Sequence, residues 1–190
     1  MAAVLTLACI SGDVYEGNGS TIVGYKRVAG LEMKIWDQSS FFGALYTQGS
    51  IGVIAFRGTR LSDANDDRDD IGIGSGKFPV NKLGDAFDFF SKAKDYIQKN
   101  GGKKIIITGH SLGGGLAQVV SARITTFPVV GVTFNAPGMA NLAGVVKFEK
   151  SNSPNVFNYR SENDPVSRVG KHIGRAPVSI KKEAIISYLH

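Results

Sequence analysis

The stretch "KKIIITGHSLGGGLAQ" constrains the fold more than any other part of the chain. Its first half is a continuous apolar, β-branched run, the pattern of a strand covered on both faces. Its second half opens a helical spacing that runs over residues 111–126, and only a glycine-rich turn separates the two. A strand that passes directly into a helix is the repeating unit of α/β folds built on parallel sheets. Further strands are expected at 43–48, 50–58, 129–138, 155–160 and 176–182. Over 81–99, Leu83, Phe87, Phe90 and Ile97 fall near one helical face with charges opposite. Asn100, Gly101 and Gly102 then supply the stop. The pattern predicts a mostly parallel central sheet with helices on both faces. The earliest strands have no helix between them, so that edge is expected to be antiparallel.

A chain of 190 residues suits one domain, 1–190, with one sizeable core. No apolar run approaches the roughly 18 residues of a membrane span, so no transmembrane segment is expected. The N-terminal "MAAVLTLACISG" has a short apolar stretch and a cysteine, yet no Lys or Arg precedes it, and it is short for a signal peptide. A cytoplasmic location is the default, with signal-independent export the alternative. Cys9 is the single cysteine, which excludes an intramolecular disulfide.

The net charge of +6 is unevenly spread, because "DANDDRDD" (63–70) holds five aspartates and one arginine. Removing it from the 22 basic and 16 acidic residues leaves 21 against 11. A basic remainder suits anionic membrane surfaces or nucleic acid, with an ordinary solvated basic surface the plainer expectation. No interleaving of aromatic and basic residues marks a nucleic-acid binder, and none is expected.

The glycines at 113–115 weaken a helix start, since each costs about 1 kcal/mol relative to alanine in a helix interior. The pattern G-x-S-x-G explains them: Gly109, Ser111 and Gly113 fill it, once in the chain, between a strand and a helix. A serine hydroxyl is a weak nucleophile until a base takes its proton, so it must be held exposed and fixed on a sharp turn. In this architecture an acid follows the serine and a histidine follows the acid. The acids after Ser111 are Glu149, Glu162, Asp164 and Glu183, and the histidines are His172 and His190. Asp164 lies in a loop just past a strand and before Pro165, where an orienting carboxylate belongs, with Glu162 its close competitor. His190 lies beyond the last expected strand, where the base hangs; His172, before that strand, is the alternative. His110 is expected to support the turn. The developing oxyanion needs two donors, expected from the N–H of Leu112 and, in "FRGTR", of Thr59.

"VIAFRGT", "ITGHSLGGGLAQ", "TFNAPG" and "NDPVSRVGKHIG", in that order, resemble the class 3 lipases, the α/β-hydrolase family of fungal triacylglycerol lipases and related phospholipases. The similarity runs from about Val53 to Gly174, and "CISGDVY" is in keeping with it. It implies Ser111 as nucleophile, Asp164 as acid, His190 as base and Thr59 with Leu112 as the oxyanion hole, with no metal or organic cofactor. The expectation is a chain that cleaves carboxylic esters of glycerides through an acyl-enzyme; phospholipase A1-type activity and a non-catalytic lipid-binding module are the alternatives. Family members usually continue past the base into a short helix, whereas this chain ends at His190. After "FRGT" the family commonly has an aspartate and tryptophan pair, but Trp36 is the single tryptophan here. Residues 61–80 stand in the position of a lid, and their glycines and aspartates offer little apolar surface to lipid. "GIGSGK" (72–77) misses the phosphate-loop spacing because Phe78 follows the lysine. "DANDDRDD" misses a calcium loop, with Arg68 at the glycine position and Gly74 at the glutamate position.

Overall fold

The computed structural model describes residues 2–16, 22, 24–34, 41–59, 80–140 and 153–181. Seven strands form one sheet in sequence order: β1 (Lys26–Lys34), β2 (Phe42–Gln48), β3 (Ile51–Phe56), β4 (Lys104–His110), β5 (Val129–Phe134), β6 (Val156–Ser161) and β7 (Val178–Ile180). β1 to β3 pair antiparallel, and every pairing from β3 to β7 is parallel. The antiparallel edge expected from the missing early helices is present. β1 is an addition to the expected strands: at an edge it alternates Arg27, Val28, Leu31 and Met33 with exposed residues, and so lacks the apolar run that marks a strand buried on both faces.

Helices α2 (Val80–Lys99) and α3 (Leu112–Arg123) pack together on one sheet face over Leu45, Ile54, Phe56, Ile105 and Ile107. In α2 the buried residues are Leu83, Ala86, Phe89, Phe90, Ala93 and Ile97, while Phe87 flanks the stripe. The face that α2 turns to the sheet carries Phe89 into the core where Phe87 was expected. Gly84 lies inside α2 with nothing within 4 Å of where a Cβ would stand. Gly84→Ala is therefore expected to stabilise the protein by about 0.5–1 kcal/mol in urea unfolding, because it removes only backbone freedom. An unchanged or lower midpoint would contradict it.

The opposite face is covered by α1 (Ala2–Glu16), built from the N-terminal segment weighed above as an export signal. Leu7, Ala8, Ile10 and Val14 are buried against Ala44, Val53, Ala55, Val132 and Phe134. Burying side chains as large as Leu7, Ile10 and Val14 is worth about 1.5–3 kcal/mol each, so α1 is part of the core. Polar contacts fix its position. Ser11 Oγ stands 2.9 Å from Thr108 Oγ1, whose own hydrogen goes to Val132 O at 2.7 Å. Tyr46 Oη donates to Asp13 Oδ2 at 2.6 Å, and the buried Arg27 pairs with Asp13 at 3.6 Å and Glu32 at 2.6 Å. Helices thus cover both faces, but the two crossover helices among the described residues share one of them. Among the described residues no helix is long and apolar enough to cross a membrane.

Candidate active site

The carboxyl ends of β3, β4, β5 and β6 meet at one end of the sheet, where open α/β sheets place their chemistry. β4 passes into α3 through Ser111, whose φ of 54° and ψ of −129° form a conformation that side-chain-bearing residues rarely adopt. Such strain costs of order 1–3 kcal/mol and persists only where the surroundings enforce it. The Ser111 N–H donates to Phe134 O at 3.1 Å, and its carbonyl accepts from Gly115 at 3.1 Å. Its side chain makes no cap bond to α3, so the hydroxyl is not engaged by the helix it precedes.

The glycines have a steric reason. A Cβ on Gly109 would come within 2.5 Å of the Gly113 carbonyl carbon, and one on Gly113 would fall on Phe56 O and lie 2.8 Å from the Arg57 carbonyl carbon. A Cβ on Gly114 would lie 2.7 Å from that of Ala136. The helix start is thereby packed directly onto β3 and β5. Residues 112–121 of α3 are all buried, which matches a helix without a polar face. Leu112, the first helical residue, is among the first-turn residues whose amides have no intrahelical acceptor. These donors and the positive end of the helix dipole favour a negative charge near Ser111.

The exit of β3 borders the same turn. Arg57 N–H donates to Phe42 O at 3.0 Å, and a Cβ on Gly58 would stand 3.3 Å from Ser111 Cβ. Thr59 follows directly and is half-buried. Asp164 lies on the turn after β6, where its Oδ2 accepts from Ser167 N–H at 2.7 Å and so opens the 3-10 turn Val166–Arg168. Glu162 is exposed on the same turn. The segment beyond Asp164 is tied to the exit of β5 by Gly138 N–H to Val169 O at 2.7 Å and Ala140 N–H to Lys171 O at 2.8 Å. His190 and residues 61–79 of the expected lid lie outside the described residues, as does "DANDDRDD". Val80, the last residue of the expected lid, begins α2.

His172 has other partners. Its Nε2 lies 2.9 Å from Ser167 O and must carry the proton there, while Nδ1 lies 3.3 Å from Gln118 Nε2. Both ring nitrogens are thus engaged away from Ser111. Burial holds the imidazole below its ordinary pKa, the bond to Ser167 O raises it in part, and nearby Arg160 lowers it further. Folding therefore favours neutral His172. Its contribution is fully present above the unfolded histidine pKa of about 6.5 and is lost as pH falls below it through the lower folded value. His172→Gln is expected to flatten the loss of stability below pH 6.5, by a slope of at most about 1.4 kcal/mol per pH unit, in thermal unfolding from pH 7.5 to 5. Parallel curves for parent and variant would refute this.

Several supporting residues lie within the quoted motifs but were given no role there. Gln118, fully buried in α3, donates to Pro137 O at 2.9 Å and accepts from Ile173 N–H at 3.0 Å, which joins the two loops beside the site. Asn135, at φ 47°, accepts from Ser161 N–H at 2.7 Å and holds the ends of β5 and β6 together. The available signal was a polar side chain inside an apolar run, in "LAQVV" and "TFNAPG". His110 has its ring edge-on to Tyr15, with centroids 6.2 Å apart, in keeping with a supporting role. Among the described residues no group of three or more His, Cys, Asp or Glu is placed to hold a metal ion.

The sequence model of a phospholipase-like family, the Tle-like phospholipase domain, matches residues 6–184. An extracellular phospholipase A1 from Serratia liquefaciens is 31% identical over 144 residues, covering 71% of this chain and 42% of the relative. The chain thus spans less than half of that relative's length. The fold is shared with a triacylglycerol lipase from Penicillium expansum, at TM-score 0.68, 17% identity and coverage of 95% of this chain and 81% of the lipase. A lipase from Rhizopus microsporus var. chinensis superposes at TM-score 0.58 with 16% identity, over 88% of this chain and 68% of that one. The seven-stranded mixed sheet is therefore an α/β-hydrolase sheet.

Proposed function

The chain belongs to the Tle-like phospholipase domain family, and from that premise we propose that it is a serine carboxylic-ester hydrolase acting on acyl esters of glycerides. The observation that carries the reading is the strained backbone of Ser111 at the exit of β4, with its hydroxyl uncommitted to the helix and the amide-rich start of α3 beside it. In the proposed reaction Ser111 Oγ attacks the ester carbonyl carbon while His190 takes the hydroxyl proton. The N–H groups of Thr59 and Leu112 bind the oxyanion, and Asp164 orients the imidazole and stabilises its charged form. His190 then protonates the leaving alkoxide, and the acyl group remains on Ser111. Water, deprotonated by the same histidine, releases the fatty acid and restores the serine. His172 is set aside as base because both its nitrogens are engaged.

A second reading is phospholipase A1-type cleavage. It is supported by the phospholipase A1 among the relatives and by the net charge of +6, which suits anionic lipid. Fatty-acid release from triglyceride emulsions and from phospholipid vesicles, with the released acyl position assigned, separates the two readings. The shared mechanism is tested by peptide mapping after a serine-reactive fluorophosphonate. One rapid adduct on Ser111, abolished by His190→Ala and retained in His172→Ala, is expected. Absence of an adduct on folded protein would instead favour a lipid-binding module, detected as saturable fatty-acid binding without turnover.

A further inference from the structure

We propose that Tyr15 is a positioning residue of the oxyanion loop, its hydroxyl holding the Gly58 backbone so that Thr59 is set against the strand end that carries Ser111. This rests on the proposed ester-hydrolase reading and adds to it a residue from the N-terminal helix. Tyr15 lies in the last turn of α1, on the sheet face away from α2 and α3. Its Oη accepts the Gly58 N–H at 2.9 Å. The same oxygen lies 3.5 Å from His110 O and 3.5 Å from His110 Nδ1. A phenol has one hydrogen, and while the oxygen accepts from Gly58 that hydrogen lies within reach of His110 O and Nδ1. One hydroxyl therefore spans the exits of β3 and β4, each time one residue before a group the reaction uses: Thr59 on one side, Ser111 on the other.

The approach leaves no slack. A Cβ on Gly58 would fall on the Tyr15 hydroxyl and stand 2.8 Å from His110 O. The neighbouring strands keep the two exits in register, with Phe56 opposite Gly109. Between them, the contacts fix the backbone that ends in Thr59 more tightly than a free loop allows. Burial raises the Tyr15 pKa to about 12, while the Gly58 bond and nearby Arg57 lower it in part. The hydroxyl thus keeps its proton across the working range, and its effect on the reaction is independent of pH.

An oxyanion forms only as the ester carbon becomes tetrahedral, so a misplaced donor slows turnover and leaves substrate binding unchanged. Tyr15→Phe keeps the ring and removes the hydroxyl. Expected is a fall in kcat of about 10–100-fold, below the 10²–10³-fold that follows complete loss of a donor, with KM within about twofold and an unmoved pH midpoint. A thionoester, whose sulfur is a poor hydrogen-bond acceptor, already lacks most of this stabilisation, so its turnover should fall much less than that of the matching ester. An equal fall for both substrates, or kcat within twofold of the parent, overturns the proposal. If Tyr15→Phe does not fold, amide exchange of Gly58 in the parent decides: strong protection supports the contact, and exchange at the rate of an open loop rules it out. Ser111→Ala, measured alongside, keeps the two failures apart. Parent turnover that does not depend on Ser111 overturns the hydrolase reading and the catalytic role of Tyr15 with it, whereas Ser111-dependent turnover that survives in Tyr15→Phe overturns the positioning role alone.

Discussion

Ser111→Ala is expected to lower ester turnover by about 10⁴- to 10⁶-fold, the loss that follows removal of the nucleophile from a serine triad. The effect should lie wholly in chemistry. Ser111 makes no side-chain cap bond, its N–H to Phe134 O is a backbone contact, and alanine carries the same Cβ at φ 54°. The variant should therefore unfold within about 1 kcal/mol of the parent, as substitutions without a structural mechanism do. Substrate should still bind, since the donors remain. His190→Ala should approach the same loss, because removing one member of a unit forfeits most of what the unit does. His172→Ala should retain most turnover, because both its nitrogens serve the Gln118 and Ser167 contacts. The measurement is steady-state hydrolysis of a soluble short-chain ester, read with circular dichroism to confirm folding. Turnover in Ser111→Ala within tenfold of the parent removes the acyl-enzyme mechanism.

Gly113→Ala is expected to have the largest effect on stability. The added methyl would fall on Phe56 O, with the Phe56 and Arg57 carbonyl carbons each 2.8 Å away, and these are backbone atoms of a central strand and its exit. β3 is held between β2 and β4, and α3 is buried through its first ten residues, so neither side has room to yield. Overpacking against rigid neighbours destabilises by about 3 kcal/mol or more, a fall in Tm of about 6–12 °C for a chain of this size. Any relief must move Leu112 and Ser111 away from the β3 exit. A displacement near 1 Å can lower turnover by about 10²-fold in the molecules that still fold. Thermal unfolding with turnover per folded molecule checks both. Gly84→Ala makes the contrast: the same chemical change in another helix, with open space around it and the opposite sign. A Gly113→Ala protein with the parent's Tm would mean that the glycine run serves no close approach.

The strands buried on both faces were legible because their signal is local. "GVIAF", "KIIIT" and "VGVTF" are apolar without alternation, and each became a central strand. The turn at Ser111 was equally legible, since a glycine two residues to either side of a serine has few other uses at a junction of strand and helix. β1 was not, because an edge strand that alternates charged and apolar residues looks like many surface segments. Nor was the role of α1. "AAVLTLACISGDVY" carries small and apolar residues around most of its circumference, and nothing local tells a buried helix from an apolar leader. The pairing of Phe89 rather than Phe87 with the core was set by how α2 rotates onto α3 and β3, which no spacing rule resolves among adjacent phenylalanines.

The sequence by itself determined the class of fold, the strand-to-helix turn at Ser111 and the few residues able to partner that serine, because chain order and residue type limit those choices to a handful. Tertiary structure decided which contacts a histidine or a tyrosine makes. His172 and His190 are equivalent as letters, and only the arrival of Gln118 from α3 and Ser167 from its own loop engages both nitrogens of the first. Tyr15 and Gly58 lie 43 residues apart and share no motif, yet the sheet brings the end of α1 to the exit of β3. Local patterns report the propensity of the backbone, whereas a hydrogen bond between distant residues exists only once the intervening chain has packed.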